Sequence, residues 1–140
     1  MTLRIFLHSK SKRAKTVALL DLGAMENFMS LDYAKYLHLL IKTLKEPRKL
    51  FNIDGTPNHI GDLKYFTDLT TRTGTRLTTL RYFLSDLGNN KVILGYPWFA
   101  AAQPKIDWAK GWIAYDQLPI VLQAPDASKA CFLPQQSLAR

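Results

Sequence analysis

The chain has 140 residues, of which 47% are hydrophobic and 21% charged, a composition typical of a single globular domain. It contains no run of about 18 apolar residues, so the sequence predicts no membrane-spanning helix and no membrane partner. The single cysteine, Cys131, cannot form an internal disulfide, and no group of Cys and His residues indicates a metal site. We therefore expect no cofactor, no metal and a reducing, cytoplasmic location.

The net charge of +8 is concentrated in two basic segments. The first contains Lys10, Lys12, Arg13 and Lys15, and the second contains Lys42, Lys45, Arg48 and Lys49. Such a charge suits nucleic-acid binding, but no nucleic-acid motif accompanies it. We expect these side chains to lie on solvated loops and strand edges, where lysine opposes edge-to-edge pairing, and we do not expect nucleic acid to bind through this domain.

Short apolar segments separated by polar or glycine-containing turns run along the chain, a pattern typical of β-structure. The predicted strands are residues 3–7, 16–20, 28–29, 62–70, 75–84, 92–94, 106–108 and 112–115, with an extended segment at 41–53 that Pro47 interrupts. The predicted turns are residues 9–15, 54–55, 71–74, 86–90 and 109–111. The segment 16–20 is apolar enough to be a central strand.

Two short helices are predicted between the strands. Ser30 is a favourable N-cap for a helix over residues 31–37, and Pro97 favours the start of a second helix that runs through Ala102. The first helix would pack one face on the sheet through Tyr33, Leu37 and Leu40, which recur at helical spacing.

The whole pattern predicts a mostly β fold, a small closed β-barrel with one or two short helices. We assign residues 1–118 to this domain. The polar, proline-containing residues 119–140 are interpreted as a tail or linker.

Asp21 is the first candidate for chemistry. It lies in Asp21-Leu22-Gly23-Ala24, directly after the apolar residues 17–20, so a carboxylate occupies a glycine turn at the end of a buried strand. Aspartic proteolysis needs two such carboxylates within hydrogen-bond distance of each other. At so short a distance the two groups cannot both be ionised, so they share one proton. One carboxylate accepts a proton from the attacking water, and the other polarises the scissile carbonyl.

This chain has one Asp-x-Gly loop in that setting, because Asp54-Gly55 is a hairpin signal and Asp107 is followed by Trp. A single domain then supplies both carboxylates only as a symmetric homodimer, with Asp21 of each copy at the two-fold axis. A structural alternative for Asp21 is a turn aspartate that caps a local backbone N–H.

The ordered set of motifs resembles the protease domain of gypsy-type LTR retrotransposons, in the retropepsin-like aspartic protease superfamily. The segments that carry the resemblance are ALLDLGA (18–24), NFMS (27–30), NIDGT (52–56), VILGYPWF (92–99) and PKIDW (104–108). Each segment alone is common, whereas their order along residues 16–115 is specific. The resemblance implies a retropepsin-like barrel that acts as a homodimeric endopeptidase on an extended polypeptide, the polyprotein of the element.

The resemblance also implies residue roles. Asp21 would be the catalytic aspartate, within an active-site loop of Leu22, Gly23 and Ala24. A flap hairpin would close over the substrate with its tip at Asn52, Ile53, Asp54, Gly55 and Thr56. Ile93-Leu94-Gly95 would support the active-site loop from inside the barrel. For such an element, a cytoplasmic location includes its virus-like particles.

Leu22 departs from the family pattern. The family has Ser or Thr at this position, and the hydroxyl hydrogen-bonds across the dimer axis. A leucine side chain can neither donate nor accept a hydrogen bond, so a buried polar group at the axis would lose its partner. An unsatisfied buried polar group costs about 1–3 kcal/mol. Two hypotheses follow: an active homodimeric protease, or a catalytically impaired relic that persists as a folded β-domain or interaction module. A third hypothesis, a basic nucleic-acid-binding barrel, depends on the charge alone.

Overall fold

In a computed structural model of the chain, the described residues are 1–50, 56, 61–114 and, for the backbone, 120–121. These residues form ten strands and two helices. The strands are β1 (Thr2–His8), β2 (Arg13–Leu20), β3 (Asn27–Ser30), β4 (Lys42–Arg48), β5 (Leu63–Thr73), β6 (Arg76–Ser85), β7 (Val92–Leu94), β8 (Lys105–Asp107), β9 (Trp112–Ala114) and β10 (Ile120–Val121). The helices are α1 (Leu31–Tyr36) and α2 (Tyr96–Ala102).

Six of these strands form a closed barrel. Their hydrogen-bonded order is β1-β2-β7-β3-β6-β5, and pairing of β1 with β5, in which Phe6 lies opposite Arg72, closes the ring. β4 joins the outside of this ring through β5, and β8, β9 and β10 form a separate three-stranded sheet. The predicted closed β-barrel with two short helices is confirmed.

The position of β7 brings two distant parts of the chain together. β7 pairs in parallel with β2, with Leu20 opposite Leu94, and antiparallel with β3. Residues 21–26 connect β2 to β3, so this connection passes the end of β7. The turn at residues 94–96, which leaves β7, therefore lies beside the loop that carries Asp21.

Two apolar clusters stabilise the fold. The larger fills the barrel, where Leu3, Ile5 and Leu7 of β1 point inward at every second position, as the pleat of a strand requires. The smaller cluster includes Ala24 of the Asp21 loop and so anchors that loop. Its buried members are Leu19, Ala24, Phe28, Leu63, Phe83, Leu87 and Ile93.

The helices follow their local signals. Ser30 caps α1 by accepting the N–H of Tyr33 at 3.2 Å, and α2 has Pro97 in its first turn. Helix α1 ends one residue before its predicted limit, at Tyr36. Leu40 therefore lies beyond the helix with 74% of its surface exposed, and the prediction that it packs on the sheet is wrong.

The β1–β2 turn is shorter than predicted. It comprises residues 9–12, because Ser9 binds Lys12 through a backbone hydrogen bond of 2.8 Å and a side-chain bond of 3.1 Å. Arg13 and Lys15, which were predicted to lie in this turn, are strand residues paired with β1.

Three further strands differ from the predictions. Thr71–Thr73 belong to β5 and not to a turn, because Gly74-Thr75 forms the whole β5–β6 connection, with Gly74 at a φ of 60° that favours glycine. β4 continues through Pro47, which was predicted to interrupt it. Its pairing with β5 is irregular between Thr43 and Arg48, and proline is tolerated at an irregular edge strand. β10, which was not predicted, pairs with β9.

A buried hydrogen bond inside the barrel makes the first prediction possible. The hydroxyl oxygens of Thr71 and Tyr82 are 2.6 Å apart, and both residues are fully buried. Burial raises the pKa of Tyr82, because the phenolate would lose its hydration, while the bond to Thr71 opposes this shift.

We expect Tyr82→Phe to lower the free energy of unfolding by about 1–3 kcal/mol, because Thr71 keeps a buried hydroxyl without its partner. The double variant Thr71→Val/Tyr82→Phe should regain part of that loss, since both polar groups are removed. The wild type should also lose stability as pH rises above about 10, where the unfolded tyrosine ionises first, and Tyr82→Phe should lose less. Urea denaturation measures the free energy of unfolding of the wild type and both variants. A double variant less stable than Tyr82→Phe would contradict the assigned hydrogen bond between Thr71 and Tyr82.

Candidate active site

Asp21 directly follows β2, and 1% of its surface is exposed. Its backbone N–H donates to the carbonyl of Leu94 at 3.0 Å, which extends the β2–β7 pairing by one residue. The Oδ1 atom accepts the N–H of Gly23 at 3.0 Å, and the N–H of Ala24 donates to the Asp21 carbonyl at 3.1 Å. The loop therefore holds the carboxylate by backbone geometry at the end of the barrel.

The burial of Asp21 bears on its two interpretations. The bond from Gly23 is a local Asx turn, which a purely structural aspartate would also make. A turn aspartate at the surface keeps its carboxylate in water, however, and aspartate is almost never fully buried unless it is paired. Within the part of the chain whose side chains are described, Asp21 is the one buried carboxylate. This burial favours a chemical role.

Two apolar side chains beside the carboxylate face solvent. Leu22 is 37% exposed and Met25 is 68% exposed, although Ala24 between them is fully buried. The loop thus alternates between an anchoring side and an outer, apolar side. Leu22, where the sequence resemblance implies Ser or Thr, lies on this outer side.

Three hydrogen bonds clamp the Asp21 loop to the turn at residues 94–96. They run from Asp21 N to Leu94 O at 3.0 Å, from Tyr96 N to Ala24 O at 2.8 Å, and from Gly95 N to Asn27 Oδ1 at 2.9 Å. Two of them join backbone to backbone, so they do not depend on which side chains the loop carries.

The clamp requires glycine at position 95, because the backbone of the Asp21 loop lies very close to this residue. Its φ of −102° is open to any residue, but a Cβ atom would lie 2.2 Å from the carbonyl oxygen of Glu26 and 2.6 Å from that of Ala24. Side-chain carbon atoms are not found that close to backbone oxygen. Any larger residue would push the turn away from the loop.

Asn27 is the site residue that the sequence analysis missed. It is fully buried, and its Oδ1 accepts the N–H of Gly95, while its Nδ2 has no hydrogen-bond partner among the described residues. A signal was present in the sequence, because an amide begins the strand Asn27–Ser30 directly before the apolar residues Phe28 and Met29. A polar residue at the start of a buried strand indicates a specific hydrogen bond.

The end of β4 also contacts the Asp21 loop. Arg48 places Nη2 3.4 Å from Oε1 of Glu26, and its guanidinium lies 4.9 Å from the ring centre of Phe83. Both charged side chains are partly exposed, so their pairing contributes only about 0–1 kcal/mol. Of the predicted flap residues, Asn52, Ile53, Asp54 and Gly55 lie outside the described residues. Thr56 is exposed.

The described residues contain no group of three or more His, Cys, Asp or Glu side chains that could hold a metal ion. Among the helices of the described residues, none is long and apolar enough to cross a membrane.

A closed six-stranded barrel, an aspartate in a glycine loop after β2, and an Ile-Leu-Gly strand end clamped against that loop together define a retropepsin-like domain. The sequence profile of the PEG10/RTL1 protease domain matches residues 17–119, which is more than half of the chain. The chain therefore belongs to the PEG10/RTL1 protease domain family. This match includes the Asp21 loop and its clamp, and the predicted retropepsin-like identity is confirmed.

Solved structures agree on the fold. The chain is similar to the retroviral protease-like domain of Ddi1 from Leishmania major, with a TM-score of 0.60, 14% identity, and coverage of 91% of this chain and 97% of that one. It is also similar to EIAV protease complexed with the inhibitor HBY-793, with a TM-score of 0.50, 18% identity, and coverage of 76% and 91%. Comparison with curated proteins finds no match.

We expect the clamp to be needed for stability. Asn27→Ala should lower the free energy of unfolding by about 1–3 kcal/mol, because the buried N–H of Gly95 loses its acceptor. Gly95→Ala should cost about as much or more through overpacking, at the high end of the usual 1–3 kcal/mol, because the clash is with backbone atoms. The exposed Ser11→Ala should change stability by less than about 0.5 kcal/mol and serves as the control.

The variant Asn27→Asp separates the loss of the acceptor from a loss of packing. It keeps an oxygen for Gly95, but burial raises the pKa of the new carboxyl group, because desolvation disfavours its charged form. It should therefore be most stable in acid and lose stability as pH rises through that raised pKa. Urea denaturation across this pH range measures the effect. A variant equally stable at acidic and neutral pH, relative to wild type, would count against the clamp.

Proposed function

We propose that this domain is an aspartic endopeptidase that acts as a homodimer, in which Asp21 of each copy contributes one carboxylate to a shared site. The observation that carries the proposal is the buried carboxylate of Asp21, held after β2 by a loop that is clamped to the end of β7. Membership in a protease domain family supports the same assignment.

The other described carboxylates support the need for a second copy. Each is exposed or is already in contact with a residue other than Asp21. The contacts are Glu26 with Arg48, Asp68 with Arg81, Asp86 with the N–H of Gly88, and Asp107 with the N–H of Lys110. Aspartic proteolysis needs two carboxylates that share a proton. A second Asp21 is the candidate that meets this requirement.

The proposed mechanism uses the paired carboxylates alone. One Asp21 accepts a proton from a water held between the two copies, and the other donates a hydrogen bond to the scissile carbonyl oxygen. The tetrahedral intermediate collapses as a proton passes to the leaving amine. The substrate is an extended polypeptide, and the proposed natural substrate is the polyprotein of a retrotransposon-type element. No cofactor is required.

Leu22 and Met25 give the proposed dimer an apolar contact in place of a hydroxyl pair. Both side chains are exposed on the outer side of the loop beside Asp21. Complete burial of a fully exposed leucine or methionine side chain contributes about 1.5–3 kcal/mol, and Leu22 can gain only part of this because 37% of its surface is exposed. Apolar packing of Leu22 and Met25 against their symmetry mates would therefore offset part of the cost of the missing hydroxyl.

Leu22 also supports a second candidate function, that of a catalytically impaired relic that serves as a folded domain or interaction module. The clamp that positions Asp21 uses backbone groups and Asn27, and none of its three hydrogen bonds involves the side chain of Leu22. The fold is thus compatible with loss of activity, and only a measurement of cleavage separates the two candidates.

A peptide-cleavage assay at mildly acidic pH tests the proposal on wild type, Asp21→Asn and Leu22→Ser. We expect wild type to cleave a mixed peptide library and Asp21→Asn to lose at least about 10²–10⁴-fold in kcat/KM, because it cannot serve as general base. Leu22→Ser should retain activity. Cleavage by Leu22→Ser but not by wild type would establish the relic instead.

Mixing experiments test the shared site directly. We expect an excess of Asp21→Asn to inhibit wild-type protein, because mixed dimers contain a single ionisable Asp21. Sedimentation of the same samples gives the dimer fraction, and a mixture with excess bovine albumin controls for dilution and crowding. The experiment is run at protein concentrations where subunits exchange. If added Asp21→Asn does not change the wild-type activity there, a site built from two copies is excluded.

A further inference from the structure

The outer face of β1, β2 and β5 carries a groove that the proteolytic site does not use. The groove has a volume of about 450 Å³ and is lined by Phe6, His8, Arg13, Ala14, Lys15 and Arg72. Three of these residues carry a fixed positive charge, one is a histidine, and none is acidic. We refer to these six residues as the basic groove.

The strand register arranges the groove as two rows across the sheet. In the first row, Phe6 of β1 lies between Lys15 of β2 and Arg72 of β5. In the second row, His8 lies opposite Arg13 on one side. Neighbouring strands are about 4.8 Å apart and rows two residues apart are about 6.7 Å apart, so the charges surround a compact patch.

The guanidinium of Arg72 lies over the ring of Phe6 at the centre of the patch. The Arg72 guanidinium lies 4.1 Å from the centre of the Phe6 ring, and its Nη1 donates to the carbonyl of Gly74 at 3.0 Å. These two contacts hold the guanidinium over the ring. A guanidinium held in this way offers its outer face as a stacking surface for a nucleobase.

Within the described part of the chain, the salt bridges do not involve the basic groove. No described carboxylate forms an ion pair with Arg13 or Lys15. Asp68, the nearest acidic residue along β5, is already bound to Arg81 at 2.9 Å and lies 3.9 Å from Lys42. The net charge of the chain is +8, so the whole protein also attracts anionic ligands at long range.

We propose that the basic groove binds single-stranded nucleic acid, with phosphates at Arg13 and Lys15 and a base stacked on the Arg72–Phe6 pair. An acidic polypeptide would match the charge, but its carboxylate side chains would not stack on the Arg72–Phe6 pair. A β-sheet face with stacking groups flanked by cations is a common platform for single strands. This function is additional to proteolysis and differs from the expectation drawn from sequence alone.

The groove is distant from the proposed catalytic carboxylate. Lys15 and Asp21 are six residues apart along one extended strand and its end, a separation on the order of 20 Å. Nucleic-acid binding should therefore be unchanged in Asp21→Asn, so failure of the protease proposal would leave this one intact, and the reverse also holds.

Fluorescence anisotropy with a labelled single-stranded RNA of about 12 nucleotides, within the range that one such domain covers, tests the proposal. We expect binding that weakens with salt, and Arg13→Glu/Lys15→Glu to weaken it at least about 10-fold and to flatten the salt dependence. The matched control is Lys105→Glu/Lys110→Glu, which changes the net charge equally at exposed positions in and beyond β8. The control should weaken binding by less than about 3-fold, since only distant charge is altered.

Arg72→Lys tests stacking apart from charge. It keeps the positive charge but removes the planar guanidinium, and we expect it to weaken RNA binding by about 3- to 10-fold. Binding of polyglutamate should not change with Arg72→Lys. Nuclear magnetic resonance titration of the wild type gives an independent readout, with the largest shifts expected at Phe6, His8, Arg13, Lys15 and Arg72.

Several outcomes would overturn the proposal. Equal losses in the groove variant and the control variant would show general attraction to a basic protein. An acidic polypeptide would be identified as the ligand if polyglutamate displaces RNA at an equal charge concentration and Arg72→Lys does not weaken RNA binding. Shifts confined to residues outside the basic groove, or no binding at low salt, would exclude the site.

Discussion

The structure around Asp21 depends on one steric constraint, the contact between two chain segments that leaves no room for a side chain. The turn at residues 94–96 lies so close to the Asp21 loop that Gly95 must be glycine. The parallel pairing of β2 with β7 delivers both segments to the same end of the barrel. Closure of the barrel then fixes them there, because no ring strand is free to shift alone. A buried carboxylate needs such support, since its position is not maintained by solvent.

The loop divides its tasks between its two sides. Ala24 and Asn27 face inward and join the loop to the core and to Gly95, whereas Leu22 and Met25 face outward. The residues that hold the loop in place are therefore distinct from its two exposed apolar residues. None of the three hydrogen bonds of the clamp uses the side chain of Leu22, so leucine at this position is compatible with the retropepsin-like fold.

Features with a local cause could be predicted from the sequence, and features that depend on strand register could not. The bounds of β7, the Ser30 cap and the position of the Asp21 loop follow from short apolar runs, a capping hydroxyl and a glycine turn. The role of Asn27 depends on a contact with a residue far along the chain, and the row of Lys15, Phe6 and Arg72 depends on which strands are neighbours. Pro47 was misjudged because its effect depends on whether its strand is an edge.

The pairing of β1 with β5 has a consequence for how the barrel assembles. This seam consists of three residue pairs, whereas the β5–β6 hairpin has nine and is joined by a two-residue turn. The hairpin is local and can form early, but the seam joins the first strand to a strand much later in the chain. We therefore expect the seam to form after the hairpin, so that the barrel closes late in folding at the face where Phe6 meets Arg72.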